Sequence, residues 1–319
     1  METIADRPIN ETPDTEAIRA QLRGIIERGE HSQNAVARQV GVSGAAISQW
    51  LQGKYAGDNA AVEYKVRRLL GAKQAAADLV KPEHIPFQMT ETSKVIWGML
   101  TEAQHAHCMV AAAGVPGIGK TQTARAYQQA SPNVWLVTLD PMLSSPNGVL
   151  TEIGAVMGIP IGSPVTLRHR IGEKLVGSEG LLIFDEAQYM KAQALDTVRS
   201  LYDRYGTGIA MLGNHGLFAQ LSAPNQQHKL AQVFRRIRKR RLFKGASQRD
   251  IETILDAWNI RGREERQFMA MVAVRGWGFG GVENVIHEAQ ALAAGEGIDV
   301  ALKHLKSAWA AHNHHETGA

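Results

Sequence analysis

The stretch "GVPGIGKT", Gly114 to Thr121, decides the fold. It satisfies G-x-x-x-x-G-K-[ST] between a predicted strand, "CMVAAA" (108–113), and a predicted helix. The chemistry requires that context. Glycines let backbone N–H groups turn inward around phosphate oxygens, and the N-terminus of the following helix adds partial positive charge. In such a cradle Gly114, Gly117 and Gly119 provide the backbone, and Lys120 reaches the β- and γ-phosphates of a nucleotide. The Thr121 hydroxyl is then a ligand for Mg²⁺.

Working outward, four further stretches read as strands: "VWLVTL" (134–139), "LLIFD" (181–185), "GIAMLG" (208–213) and "RRLFK" (240–244). Helical patterns separate them, the signature of an α/β fold with a mainly parallel sheet and helices on both faces. The stretch "LLIFDEAQ" brings Asp185 and Glu186 to the C-terminal end of a strand, where open α/β sheets bind ligands. Asp185 is placed to hold Mg²⁺ and Glu186 to polarise an attacking water. Asn214, directly after "GIAMLG", reads two ways: it orients that water, or it caps a helix or turn. After Gln248 the strands stop, and Ile251, Ile254, Leu255 and Trp258 form one helical face, as in a small helical lid. With no second core of this kind, "DEAQ" does not indicate a two-core helicase.

At the other end, "NAVARQVGVSGAAISQWLQGKY" (34–55) reads as a helix-turn-helix. Val36, Ala37, Val40, Val42, Ile47 and Trp50 face inward, Gly41 makes the turn and Ser43 caps the second helix. Ser48 and Gln49 then face base edges, with Arg38 and Lys54 near phosphates. The competing reading is a small helical bundle that binds protein. Flanking helices follow from Ile18, Leu22, Ile25 and Ile26, capped by Asp14 or Thr15 and ended by Gly29. A later face of Val62, Val66, Leu69 and Leu70 is closed by Gly71. The expected division is a helix-turn-helix domain over 1–72 and a linker over 73–90, where Pro82 and Pro86 interrupt the pattern. A nucleotide-binding core over 91–246, a lid over 247–311 and a disordered tail over 312–319 follow.

Bulk properties narrow the class. A 319-residue chain that is 44% hydrophobic supports real cores and excludes global disorder. A net charge of +4 and a pI near 9.2 permit an anionic partner. The single cysteine, Cys108, reads as a packing residue, excludes an internal disulfide framework and fits a reducing cytosol. There is no apolar run approaching the ~18 residues of a membrane span and no signal-peptide character at the start. A soluble, cytoplasmic protein with no membrane partner is expected. His312, His314 and His315 fall in the expected tail, where no defined metal site is anticipated.

The phosphate loop, the acidic strand, the Asn-ended neighbouring strand and the helical lid together resemble the AAA+ ATPases. A helix-turn-helix ahead of that core, with "LDTVRSLYDRYGTGIAMLGN" (195–214) after the acidic strand, resembles more narrowly the MuB family of phage Mu and its prophage relatives. The resemblance spans nearly the whole chain in length and domain order. It implies ATP and Mg²⁺ as cofactors and largely sequence-nonspecific binding of double-stranded DNA. It implies an ATP-dependent helical self-oligomer that captures target DNA for a DDE-type transposase and stimulates strand transfer. Slow ATP hydrolysis, stimulated by DNA and transposase in the bacterial host cytoplasm, would release the DNA. The resemblance carries Lys120, Thr121, Asp185 and Glu186 into those roles, and Asn214 as the sensor. AAA+ assemblies also set an arginine against the γ-phosphate of the next subunit. "VFRRIRKRRLFK" (233–244) offers Arg236 for this, with Arg235 and Arg238 as alternatives. One departure is plain: "GFGGVENVI" (278–286) has no cation where many lids carry a second sensor arginine, and Arg275 lies upstream.

Two stretches are candidates for DNA phosphates. Arg235 to Lys244 holds seven basic residues and no acid, so Arg238 can face DNA while another arginine serves the nucleotide. Its plainer reading is a solvated face. Arg168 and Arg170 of "TLRHR" (166–170) are expected on a loop between two helices, facing a channel or simply solvent. Two other functions compete: an ATP-regulated helix-turn-helix transcription regulator and a helicase-loader-type AAA+ ATPase.

Overall fold

The computed structural model describes residues 13–29, 31–78, 84–222, 227–275 and 278–313. Contacts divide the chain into units of residues 1–81 and 82–319. In the first unit, α1 (Pro13–Glu27), α2 (Gln33–Val40), α3 (Gly44–Leu51) and α4 (Asn59–Asp78) surround Leu22, Val36, Ile47, Trp50 and Val66. Ser32 Oγ accepts from Ala35 N at the start of α2, and Ser43 Oγ accepts from Ala46 N at the start of α3. Gly41 between them adopts φ 70°, a left-handed conformation open to glycine at little cost. Two expected helix boundaries are corrected. Pro13 starts α1, its fixed φ suiting the first turn, so Asp14 and Thr15 lie inside the helix. Thr15 Oγ1 instead donates to Glu63 Oε2 at 2.6 Å. Helix α4 runs through Gly71 to Asp78, because one helical glycine costs only about 1 kcal/mol and four alanines follow. The expected linker over 73–90 is therefore helical at its start; residues 79–83 lie outside the described residues, and 84–90 run without helix or strand to Thr90.

In the second unit, α5 (Glu91–His105) leads into β1 (Met109–Gly114), and α6 (Lys120–Ala130) into β2 (Val134–Thr138). Helices α7 (Pro146–Val156) and α8 (Pro164–Leu175) precede β3 (Leu181–Asp185), and α9 (Ala192–Tyr205) precedes β4 (Gly208–Gly213). Helices α10 (His215–Ser222) and α11 (Gln227–Arg236) precede β5 (Ile237–Phe243). The five strands form one parallel sheet in the order β2-β3-β4-β1-β5, the α/β architecture expected from sequence.

Alternation along β1 to β4 builds two cores. Met109, Leu182, Phe184, Ile209 and Met211 face α7 to α11. Val110, Ala112, Leu181, Ile183 and Leu212 face α5 and α6. Strand β5 begins three residues earlier than expected. Only its first and last residues are buried, so its charged middle shows no apolar alternation. Strand β1 is displaced by one residue, and β2 ends at Thr138. Arg168 and Arg170 lie within α8, not on a loop. Ser163 caps that helix and Pro164 opens it, a start signal just ahead of "TLRHR".

The lid comprises α12 (Gln248–Ala257), α13 (Arg263–Arg275), α14 (Gly278–Glu296) and α15 (Leu302–Asn313), packed through Leu255, Met269, Val285 and Leu305. Helix α15 takes in His312, which pairs with Glu288 Oε2 at 3.0 Å, so the expected tail begins later; His314 and His315 lie outside the described residues.

One buried carboxylate joins lid to core. Asp250 accepts from Ser247 N (2.8 Å), Thr92 N (2.9 Å) and Thr92 Oγ1 (2.8 Å), tying the start of α12 to the start of α5. Burial resists its ionisation, but the hydrogen bonds from Thr92 and Ser247 outweigh that and hold the carboxyl below its ordinary value. A depressed folded value means stability that is present above the unfolded carboxyl's titration and lost as pH falls through the folded one. Replacing Asp250 with Asn should cost about 1–3 kcal/mol at neutral pH in urea unfolding. The gap from the parent should narrow below about pH 4.

Candidate functional site

The loop after β1 turns on glycines. Gly117 and Gly119 have φ 77° and 90°, conformations that side-chain-bearing residues rarely adopt, and α6 begins directly afterwards at Lys120. Gly114 contributes differently from expectation. It ends β1 with its Cα against Phe243 and Ile118, and its carbonyl accepts from Lys120 Nζ at 3.0 Å. Val115 O accepts from the same ammonium at 2.9 Å. The helix start is braced from behind: Thr123 Oγ1 lies 2.8 Å from Gly119 O and 3.0 Å from Ser93 Oγ, which Thr90 also contacts. A turn through two left-handed glycines at the start of an eleven-residue helix fits a phosphate group.

Strand β3 delivers the acids. Thr121 Oγ1 donates to Asp185 Oδ2 at 2.6 Å, and Glu186 N donates to Asp185 Oδ1 at 3.0 Å. A hydroxyl and a carboxylate in contact beside a phosphate loop form the hard oxygen donor set that Mg²⁺ takes. Burial pushes the Lys120 ammonium below its ordinary pKa, with Glu186 and then Asp185 opposing it. Burial likewise pushes Asp185 above the usual carboxylate range, against hydrogen bonds from Thr121 and Glu186 N. Both groups are held at an energetic cost that ligand charge of opposite sign offsets.

Glu186 leaves the strand in a left-handed conformation, φ 55° and ψ 36°, strained for a residue with a side chain. Its carboxylate is held by a residue that the sequence reading passed over. Gln188 Nε2 donates to Glu186 Oε2 at 2.5 Å, while Gln188 Oε1 accepts from Asn214 N at 3.2 Å. Gln188 thus bridges the end of β3 to the end of β4. Its only sequence signal is its place in "DEAQ", two residues beyond the acid. Asn214 caps α10, its Oδ1 accepting from Gly216 N at 2.8 Å, which is the plainer of its two readings. Its Nδ2 donates to no group among the described residues, so the amide can still serve a ligand.

The lid reaches the loop through backbone. Phe279 N donates to Gly117 O at 2.8 Å. A Cβ on Gly278 would sit 2.7 Å from Gly117 C and O, so only glycine fits where the sequence lacks a sensor arginine. Between the 84–90 segment, the loop helix and the lid lies a cavity of about 250 Å³, bordered by Phe87, Gly119, Gln122, Ile254, Trp258 and Phe279. An aromatic-walled cavity next to a phosphate cradle suits a nucleoside base.

The remaining expected residues are dispersed. Arg236 ends α11, its Nε donating to Asp203 Oδ1 at 2.9 Å. Arg199 also binds Asp203. Arg235 beside it is exposed, without a hydrogen-bond or ion-pair partner among the described residues. Arg238 lies on edge strand β5 and pairs with Glu102 at 3.3 Å. Arg168 folds back onto α9, its Nη2 3.4 Å from Ser200 Oγ, whereas Arg170 is exposed. In the first unit Arg38, Gln49 and Lys54 are exposed and Ser48 is half-buried.

Residues 103–221 match the family model for an AAA domain, and residues 235–311 match that for the C-terminal part of the Mu B transposition protein. The chain is 31% identical over 294 residues to the ATP-dependent target DNA activator B of Escherichia phage D108, covering 92% of this chain and 94% of the relative. The protein of the same name from Escherichia phage Mu gives the same identity and coverage. The Mu-like prophage FluMu DNA transposition protein B of Haemophilus influenzae is 31% identical over 250 residues, covering 77% of this chain and 86% of that relative.

If Gln188 orients the Glu186 carboxylate, Gln188→Ala should lower kcat for ATP hydrolysis by about tenfold or more and leave KM for ATP near its starting value. An unchanged kcat would contradict this positioning role.

Proposed function

The chain belongs to the Mu B family of transposition proteins, and from that premise we propose that it is an ATP-switched DNA-binding protein that captures target DNA for a transposase. In the ATP-bound state it assembles on double-stranded DNA as a helical oligomer and presents that DNA to a DDE-type transposase, stimulating strand transfer. Hydrolysis reverses the assembly. The relatives' names, ATP-dependent target DNA activator B and DNA transposition protein B, support this reading. The observation that carries it is the contact of Thr121 Oγ1 with Asp185 Oδ2 at 2.6 Å, with Lys120 and Glu186 flanking it.

In this reading the loop amides and Lys120 hold the phosphates, and Thr121 with Asp185 holds Mg²⁺. When bound, Mg²⁺ neutralises phosphate charge during transfer. Glu186, steered by Gln188, accepts a proton from the attacking water. Asn214 Nδ2 orients the same water while Oδ1 continues to cap α10. For the arginine that completes a neighbouring subunit's site, the structure favours Arg235 as readily as Arg236, because Asp203 already holds Arg236. Arg238 would have to leave Glu102 to reach DNA, whereas Arg170 needs no such exchange.

The helical first unit offers Gln49 and Ser48 to base edges and Arg38 and Lys54 to phosphates, each copy a weak grip that an oligomer multiplies. Long-range order of that kind separates this function from an operator-binding regulator, whose footprint would be one short palindrome.

Electrophoretic or fluorescence-polarisation binding to duplex DNA tests the switch. Lys120→Ala should abolish the ATP-stimulated component, and Glu186→Gln should leave the protein trapped on DNA with ATP present. Footprints should extend along the duplex. Equal DNA affinity with and without ATP in the parent protein would sink the reading.

A further inference from the structure

Among the described residues, one cluster of metal-ligating side chains outside the phosphate loop stands apart from the chemistry already described. Glu283 and His287 occupy successive turns of one face of α14, the i, i+4 spacing that lets two side chains share a ligand. His84, on the segment before α5, meets them from the other side. Its Nδ1 lies 3.5 Å from Glu283 Oε1, and His287 Nε2 lies 4.0 Å from the same oxygen. All three potential ligand atoms fall within 4.8 Å of one another. The His84 and His287 rings meet edge to face at 5.4 Å, and Trp258 packs edge-on against His287 at 5.3 Å, fixing the plane of that imidazole.

We propose that His84, Glu283 and His287 form a binding site for a Zn²⁺-class transition cation that ties the 84–90 segment to the lid. The donor set selects the metal. Two imidazoles and one carboxylate suit zinc and its neighbours, whereas Mg²⁺ and Ca²⁺ prefer oxygen alone. Zinc bonds of about 2.0–2.2 Å place tetrahedral ligands roughly 3.4 Å apart, so the His84–Glu283 separation already fits. The other gaps close by rotation of His84, which is 75% exposed, and Glu283, which is 42% exposed. The pattern leaves a fourth position for water, as in other His₂Glu sites. His84 and Glu283 also border the cavity beside Gly119, so a bound ion would hold the lid against its mouth. None of the three ligands is a residue assigned to the phosphates or to Mg²⁺, so the site stands whether or not the function proposed above is correct.

The test uses the full chain with His312, His314 and His315 replaced by Ala, which removes the histidine cluster near the C-terminal end as a competitor. Titration with Zn²⁺ in the absence of nucleotide should give one ion per chain and a rise in thermal midpoint. His84→Ala, at an exposed position outside the helices, should weaken Zn²⁺ at least tenfold and abolish the rise, as should Glu283→Gln. Co²⁺ should give the visible d–d bands of a four-coordinate site, lost in both variants. Zn²⁺ affinity unchanged by His84→Ala, Zn²⁺ binding that depends instead on Asp185, or no binding at all would overturn the assignment.

Discussion

The 2.6 Å hydrogen bond from Thr121 Oγ1 to Asp185 Oδ2 spans two strands that are not neighbours, since β4 lies between β1 and β3. It exists only if all three strands run parallel, end at the same edge and keep register. The sheet provides this through alternation: at every strand in the middle of the sheet, odd and even residues feed different cores. A slip of one residue would turn Asp185 away from Thr121 and drive its carboxylate into the apolar layer. The same arrangement explains why Lys120 and Asp185 are both displaced from their ordinary pKa values by burial. The site holds a cation and a carboxylate away from water, a cost that a ligand of opposite charge would offset at each.

The lid is bound to this core at separate points by different means. At Asp250 the connection is electrostatic and buried, a carboxylate shared between the first turns of α5 and α12. At Gly278 it is steric, with the lid backbone pressed on the phosphate loop and Phe279 N bonded to Gly117 O. A side-chain cation would read phosphate charge directly. A backbone contact meets the loop's shape instead. The contact of His84 with Glu283 adds a third point, also at the border of the cavity.

Cations that looked equivalent along the chain differ sharply once paired. Of the run from Arg235 to Lys244, Arg236 is committed to Asp203, Arg238 and Lys239 share Glu102, and Arg240 lies 3.9 Å over the Phe234 ring. The exposed basic residues of β5 also guard an open sheet edge against pairing with another strand. Arg168 is spent on α9, leaving Arg170 as the outward charge of its pair.

Local chemistry made much of this legible from residues alone. The glycine spacing of the phosphate loop, the apolar run ending in Asp185–Glu186 and the alternation of the inner strands are short-range patterns, and each imposes one geometry wherever it occurs. Helix ends were less legible where a weak breaker met a strong run, as at Gly71, and where a start signal preceded an arginine-rich stretch, as at Ser163–Pro164. Strand β5 was misplaced because an edge strand with charges on both faces has no alternation to read. Beyond reach altogether were contacts between distant segments: Asp250 with Thr92 across 158 positions, Gly278 against Gly117, Gln188 between Glu186 and Asn214, and His84 beside α14. By itself the sequence determined which groups could meet a phosphate, since backbone freedom and side-chain chemistry are local. Only the tertiary structure decided which groups hold them in place, because that depends on what the packing of strands and lid brings into contact.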